Sequence, residues 1–416
     1  MMNYVSESLF RKIYYWAILA FLFVSPLTVA VTNIMFGVLF LLYLLSLFFP
    51  SNIENLFPEK GVHRIYFYAS LLIFLVFIFA SFMGANFWDS AETSFRNISF
   101  VIFPLYILRY RKMIAEKIYE IYMVFIAANL LAVIINLGYA AYRYFFNDEN
   151  FSVFFYTEFS VLRRYVFFSI FITIALIFGF DLLSRKKFVM GNKQKWVVAF
   201  SALLFWGTVF LLSSRSGFLI LLVVGVMLAT YFVVYSKKLI LKILMLLFPV
   251  LFVLLVFQSP RFNMVKRAVR SVSVLEKGTT SVKSDARFRI WESALFVIDE
   301  NFYTGVGLDR VKSSLYEKHG IDSYSDLNTH NQFLNLFVAS GFIGFLVLLY
   351  YFGLLIFFAL YFRNFTLLLS IVTIFLALSF DTFLESSVGS FFIPFLFSLQ
   401  VMLLPKEIRF KRLKKQ

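Results

Sequence analysis

The sequence predicts an all-α integral membrane protein of about twelve transmembrane helices, with one large helical loop on the outer face. Hydrophobic residues fill 61% of the 416 positions and charged residues only 15%, whereas a soluble domain is nearer one half apolar and one quarter charged. Apolar runs of bilayer-crossing length recur from one end of the chain to the other. The basic residues alternate with those runs in a way that fixes an orientation.

The first run, Ile13 to Phe49, is apolar for 37 residues, about 55 Å as one straight helix and too long for a bilayer of about 30 Å. Ser25-Pro26 and Thr32-Asn33 interrupt it, so two helices are expected, at 13–26 and 30–49. Arg11-Lys12 ahead of it imitates a signal peptide, but no small-residue cleavage site follows, and a retained first helix is expected. Further spans are expected at 65–83, 98–108, 118–138, 166–183, 196–213, 216–236 and 239–257, and after a long polar segment at 341–362, 365–383 and 388–404. The chain thus divides into residues 1–257 with nine helices, a loop domain at 258–330, and residues 331–416 with three helices and a basic tail.

With the N-terminus in the cytoplasm, 23 Lys and Arg fall on inside segments and five on short outside segments, and the other 11 of the 39 lie in the long segment. Positive charge marks the inside, and long loops translocate largely regardless of charge. Both termini are therefore expected in the cytoplasm, with the 258–330 loop on the opposite side. The same placement assigns the net charge of +16 to topology rather than to nucleic acid. There is no cysteine, which excludes disulfides, thiolate metal sites and a cysteine nucleophile.

Two outside segments are more than turns. Gly84 to Asn97 mixes Phe87, Trp88 and Phe95 with charge, as an interfacial helix does. Residues 139 to 165 carry Tyr139, Tyr142, Tyr144, Phe145 and Phe146 and then Arg163-Arg164, which reads as aromatic-belt anchoring, or as an arginine pair that meets an anionic lipid.

Three stretches can carry chemistry. Ser213-Ser214-Arg215-Ser216-Gly217 joins two strong helices on the outer side. An arginine so close to hydrocarbon faces a partner or a watery cavity, or else snorkels to the interface. Ser214 and Gly217 keep its surroundings small. In the long loop, Ser284 or Asp285 caps a helix in which Arg287, Trp291, Leu295 and Ile298 share one face, with Arg289 and Glu292 opposite. Asn301 to Gly307 ends that helix in a glycine turn, and Asp309 to Asp326 reads as a surface loop whose Asp322 and Asp326 are caps rather than a metal pair. Finally His330, one of three histidines, stands where the polar segment meets an apolar one, followed by Asn331. Alone it reads first as a hydrogen-bonded residue at a helix start. Set beside two outer-face arginines it reads as a base. Two guanidinium groups can hold a diphosphate bidentately without a metal, and a neutral imidazole can take the proton of an attacking hydroxyl. Glu385 can help position the acceptor or Arg215, or simply end a helix.

These stretches resemble the bacterial O-antigen ligase and O-antigen polymerase superfamily. The likeness rests on Ser-Arg-Ser-Gly at 214–217, on Arg287-x-x-x-Trp291 leading to Asn301 and Gly305-x-Gly307, and on His330-Asn331-x-x-Leu334 with Gly341-x-x-Gly344. Phe302 departs from it, since the family usually has proline there. The first 190 residues are similar only in hydropathy. The resemblance implies an integral-membrane C-type glycosyltransferase, inverting and metal-independent, without a cofactor. It also implies a donor glycan on undecaprenyl diphosphate at the periplasmic face of the inner membrane. It assigns Arg215 and Arg287 to the diphosphate and His330 to the acceptor hydroxyl. Ser214, Gly217, Trp291, Asn331, Arg163, Arg164 and Glu385 would support them. A single large loop before the histidine favours a ligase acting on a lipid A-core acceptor in lipopolysaccharide biosynthesis. An O-antigen polymerase is the alternative, and transfer to protein is a further branch. A transporter or flippase competes through Asn129, Asn136, Asp181 and Asp381, but neither aspartate lies at mid-membrane as a charge relay requires.

Overall fold

Apolar runs without a polar face must be covered on all sides. The computed structural model, which describes residues 2–48, 61–184, 190–235, 286–319 and 328–405 with a few isolated positions between, does this with a helical bundle. Its helices are α1 Met2–Val24, α2 Val29–Ser46, α3 Gly61–Phe82, α4 Phe87–Arg96, α5 Ser99–Arg109, α6 Arg111–Glu116, α7 Ile118–Phe146, α8 Tyr156–Phe159, α9 Tyr165–Ser184, α10 Asn192–Leu212 and α11 Arg215–Tyr235. They continue with α12 Ala286–Glu300, α13 Val311–His319, α14 Gln332–Tyr361, α15 Phe365–Phe380 and α16 Ser387–Met402. Among the described residues every regular element is helical, and seven helices are long and apolar enough to cross a membrane.

Eleven of the twelve expected spans coincide with helices. The ninth, 239–257, lies outside the described residues apart from isolated positions, as do the cap at 284–285, Asp322, Asp326 and the tail beyond 405. At the centre, α16 is buried along its whole length and packs against α2, α3, α5 and α15. The short α5 is buried at ten of its eleven positions, so it faces protein and need not match the bilayer thickness. Around this centre α1 packs on α7, α7 on α9, α9 on α10 and α15, and α14 on α3.

The segments expected outside gather at one end of the bundle. Arg96 and Asn97 donate to the carbonyls of Glu385 and Leu384, and Arg163 donates to Ser25 O. Those expected inside gather at the other, where Arg109 reaches Ser46 O, Arg111 reaches the Met402 and Leu404 carbonyls, and Thr366 donates to Asp181.

Four boundaries differ from expectation. Helix α1 begins at Met2 rather than 13, because Glu7 and Arg11 pair across one turn at 2.7 Å and Phe10 and Tyr14 are buried. Helix α7 runs on to Phe146, beyond its apolar run. The expected loop after Asp309 contains α13, which packs on α12 through Val311 and Leu315. Helix α14 starts at Gln332, nine residues before the expected span, and is broken at Gly341 (φ 66°, ψ −163°) into 332–340 and 342–361. That break organises the site.

Candidate active site at one end of the bundle

The Asn301–Leu308 turn fills the break in α14. The break deprives Val338 and Ala339 of their helical donors, and the N–H groups of Val306 and Gly307 replace them, each at 2.9 Å. Phe342 N donates to Phe302 O at 2.7 Å, and Leu308 N to Ala80 O on α3. Gly305 (φ 69°) and Gly341 take left-handed backbones, and a Cβ on either would strike the other strand of this junction. Phe302 lies among Phe337 and Phe342. The glycine motifs thus lock the end of α12 onto α14.

Helix α12 then presents Trp291, whose Nε1 donates to Thr329 O at 2.7 Å, beside His330. The buried stripe is Ile290, Ser293, Ala294, Val297 and Ile298. Leu295, expected on the inner face, is 59% exposed, because the stripe is turned by one position. Arg287, half-buried, stands one turn before Trp291 at the edge of that stripe, and Arg289 and Glu292 are exposed. The structure therefore keeps Arg287 and Arg289 on different faces.

His330 occupies a left-handed backbone (φ 47°) ahead of Asn331, whose side chain caps α14 by accepting from Phe333 N and Leu334 N. Asn328 Oδ1 accepts the His330 N–H at 2.9 Å, and Asn328 Nδ2 donates to Thr382 Oγ1 at 2.8 Å. The imidazole Nδ1 lies 3.5 Å from Asp381 Oδ1, and the other oxygen of Asp381 lies 3.7 Å from Arg164 Nη2. Asp381 is buried, and its Oδ1 also accepts from Thr382 N at 2.9 Å. Burial opposes its ionisation, but the His330 side chain, Arg164 and the Thr382 N–H prevail and hold the carboxyl below its ordinary value.

A second carboxyl sits one hydrogen bond further back. Thr329 Oγ1 donates to Asn335 Oδ1 at 3.1 Å, and Asn335 Nδ2 donates to Glu385 Oε1. Glu385 keeps some accessible surface but is densely surrounded, and burial pushes its carboxyl up to about 7 against the pull of Lys312 and Arg96. Gln332 Oε1 accepts Leu384 N, which ties the same turn to the first residue of α14.

Arg215 is the first residue of α11, exposed, after a left-handed Ser213. Ser214 Oγ accepts Gly217 N at 3.2 Å, and a Cβ on Gly217 would lie 2.9 Å from Ser169 on α9. That contact sets the starts of α9 and α11 level, so Arg164 and Arg215 stand at the same end of the bundle. Arg163 points elsewhere. It is buried between α1 and α2, where Thr32 Oγ1 accepts from it at 2.9 Å.

The structure thus brings His330, Asp381 and Arg164 into direct contact, with Trp291, Asn331 and Glu385 around them. Asp381, Asn328, Thr382 and Asn335 are site residues that sequence reasoning did not assign. Asp381 was visible as an acid at a helix end, but nothing in the sequence pairs it with a histidine 51 residues earlier. Among the described residues no three His, Asp or Glu side chains cluster to hold a cation.

Two comparisons bear on this constellation. Residues 200–349, the stretch from α10 to the first part of α14, match the family model described as O-antigen ligase. An uncharacterized protein of Haemophilus influenzae (strain ATCC 51907 / DSM 11121 / KW20 / Rd) is 35% identical over 149 residues, which cover 33% of this chain. The chain spans about 36% of that relative's own length.

Proposed function

We propose, for a chain that belongs through residues 200–349 to the O-antigen ligase and polymerase superfamily, that it is an inverting glycosyltransferase of the ligase type. It transfers a glycan from undecaprenyl diphosphate to a sugar of the lipid A-core, at the periplasmic face of the inner membrane. The observation that carries this reading is the contact of His330 with a buried, ionised Asp381 at the bundle end that also carries Arg164 and Arg215.

In this reading the Asp381 carboxylate, 3.5 Å from Nδ1 of His330, draws the imidazole proton to that nitrogen and so leaves Nε2 as the proton acceptor. The acceptor hydroxyl gives its proton to Nε2 while its oxygen bonds to the anomeric carbon. The bond from that carbon to the diphosphate breaks on the opposite face, which inverts the configuration. Undecaprenyl diphosphate leaves with its negative charge, which Arg215 and Arg287 oppose without a metal. Trp291 and Asn331 hold the two segments that carry Arg287 and His330, and no residue here is required to bind nucleic acid.

Deletion of the gene followed by electrophoresis of the lipopolysaccharide tests the ligase assignment. Unsubstituted core with full-length lipid-linked polymer accumulating is expected. Core bearing a single repeat unit would identify a polymerase instead, and unaltered lipopolysaccharide contradicts both.

A further inference from the structure

Asp381 is shared between one permanent cation and one titratable group. Arg164 reaches it at 3.7 Å, a loose ion pair, with a side chain 51% exposed. His330 reaches the other oxygen at 3.5 Å. The carboxylate itself is buried. An incoming anion can therefore compete for Arg164 without disturbing packing, and Asp381 is then left to the imidazole alone.

We propose that Arg164 is an exchangeable counterion of Asp381 and a positioning residue that couples binding of the donor's diphosphate to the basicity of His330. While Arg164 stays on Asp381, its charge offsets part of the carboxylate's field at the imidazole. When the diphosphate draws Arg164 away, the field of Asp381 acts on His330 unopposed, and the imidazole takes a proton more readily. Proton acceptance is thereby favoured when the donor is in place. The coupling needs an anion of diphosphate type, and it acts from the residue just ahead of α9, outside the stretch that matches the family model.

Other charged groups act beside this triad. Glu385 lies on the 3-10 turn beyond Asp381, and Lys312 of α13 and Arg96 of α4 act on Glu385. Glu385 changes charge in the same pH range as a histidine, so the comparison is made in both wild-type and Glu385→Gln backgrounds.

The chain has only three histidines, His63, His319 and His330, so the full protein in lipid nanodiscs with labelled histidine gives a readable NMR titration, assigned with His330→Gln. The Arg164→Gln variant is expected to raise the His330 midpoint by roughly half to one pH unit. Asp381→Asn is expected to lower it, and Arg164→Lys to restore most of the wild-type value. Inorganic pyrophosphate, as the probe, is expected to raise the wild-type midpoint clearly and the Arg164→Gln midpoint much less. An unmoved midpoint in Arg164→Gln, or an equal pyrophosphate shift in both proteins, overturns the coupling. The inference rests on His330 as the base. Normal glycan transfer by His330→Gln would defeat that reading, whereas an inactive His330→Gln with unmoved midpoints defeats the coupling alone.

Discussion

At the scale of single residues, the site is a set of polar groups whose partners come from distant parts of the chain. Glu385 shows what burial does to one of them. Burial pushes its carboxyl up to about 7, above its ordinary 4.5. Between those values the folded state holds more protons than the unfolded one, so stability falls as pH rises through that window. Glu385→Gln removes the titration while keeping an acceptor for Asn335. Its thermal midpoint in detergent, relative to wild type, is expected to climb by a few degrees from about pH 5 to about pH 8, and a pH-independent difference would contradict the assignment. His330 and Arg287 stand out in the sequence because a histidine at a polar-to-apolar boundary and an arginine on an expected apolar face are each unusual. Asp381 was legible only as an acid at a helix end, since its meaning comes from a contact that closes across α14 and α15. The Arg163-Arg164 pair read as one feature, yet the two side chains serve opposite directions, which no spacing reveals.

At the scale of elements, apolar run length located the helices well and located their interruptions poorly. Helix α14 looks continuous in hydropathy, and the break at Gly341 exists because the Asn301–Leu308 turn supplies the hydrogen bonds that the break removes. A glycine followed three residues later by another was visible, but it is also a common helix-packing signature. Gly341→Ala forces a side chain onto a left-handed backbone at φ 66° and into the backbone of Tyr303. A loss of about 1–3 kcal/mol is expected from the backbone alone, with more from the clash. Hydrogen exchange at Val306 and Gly307 measures it directly, because their amides lose protection if α14 straightens, and unchanged protection would contradict the plug. The face of α12 was read one position out at Leu295, since a stripe on a short amphipathic helix is set by its neighbours as much as by its sequence.

At the scale of the whole molecule, the alternation of helix ends follows the alternation predicted from the apolar runs. What the sequence adds is the sign, through the excess of Lys and Arg on one set of segments. The chain has no cysteine, so single cysteines report topology without a background. Phe151→Cys, at the end with His330, is expected to react with a membrane-impermeant maleimide in cells whose outer membrane is permeabilised. Lys193→Cys, at the other end, is expected to react only after lysis, and the opposite pattern would invert the orientation. The proposed function has the end of the bundle that carries His330 transfer a glycan using His330, Arg215 and Arg287. The most direct measurement is transfer by the purified protein in lipid vesicles. The substrates are an undecaprenyl-diphosphate-linked glycan and lipid A-core, with a chelator present. Wild type and Arg289→Ala are expected to form glycosylated core with release of undecaprenyl diphosphate. The Arg215→Ala, Arg287→Ala and His330→Ala proteins are expected to be at least about 100-fold slower. Transfer by His330→Ala at the wild-type rate, or no transfer by the wild type itself, would contradict the account.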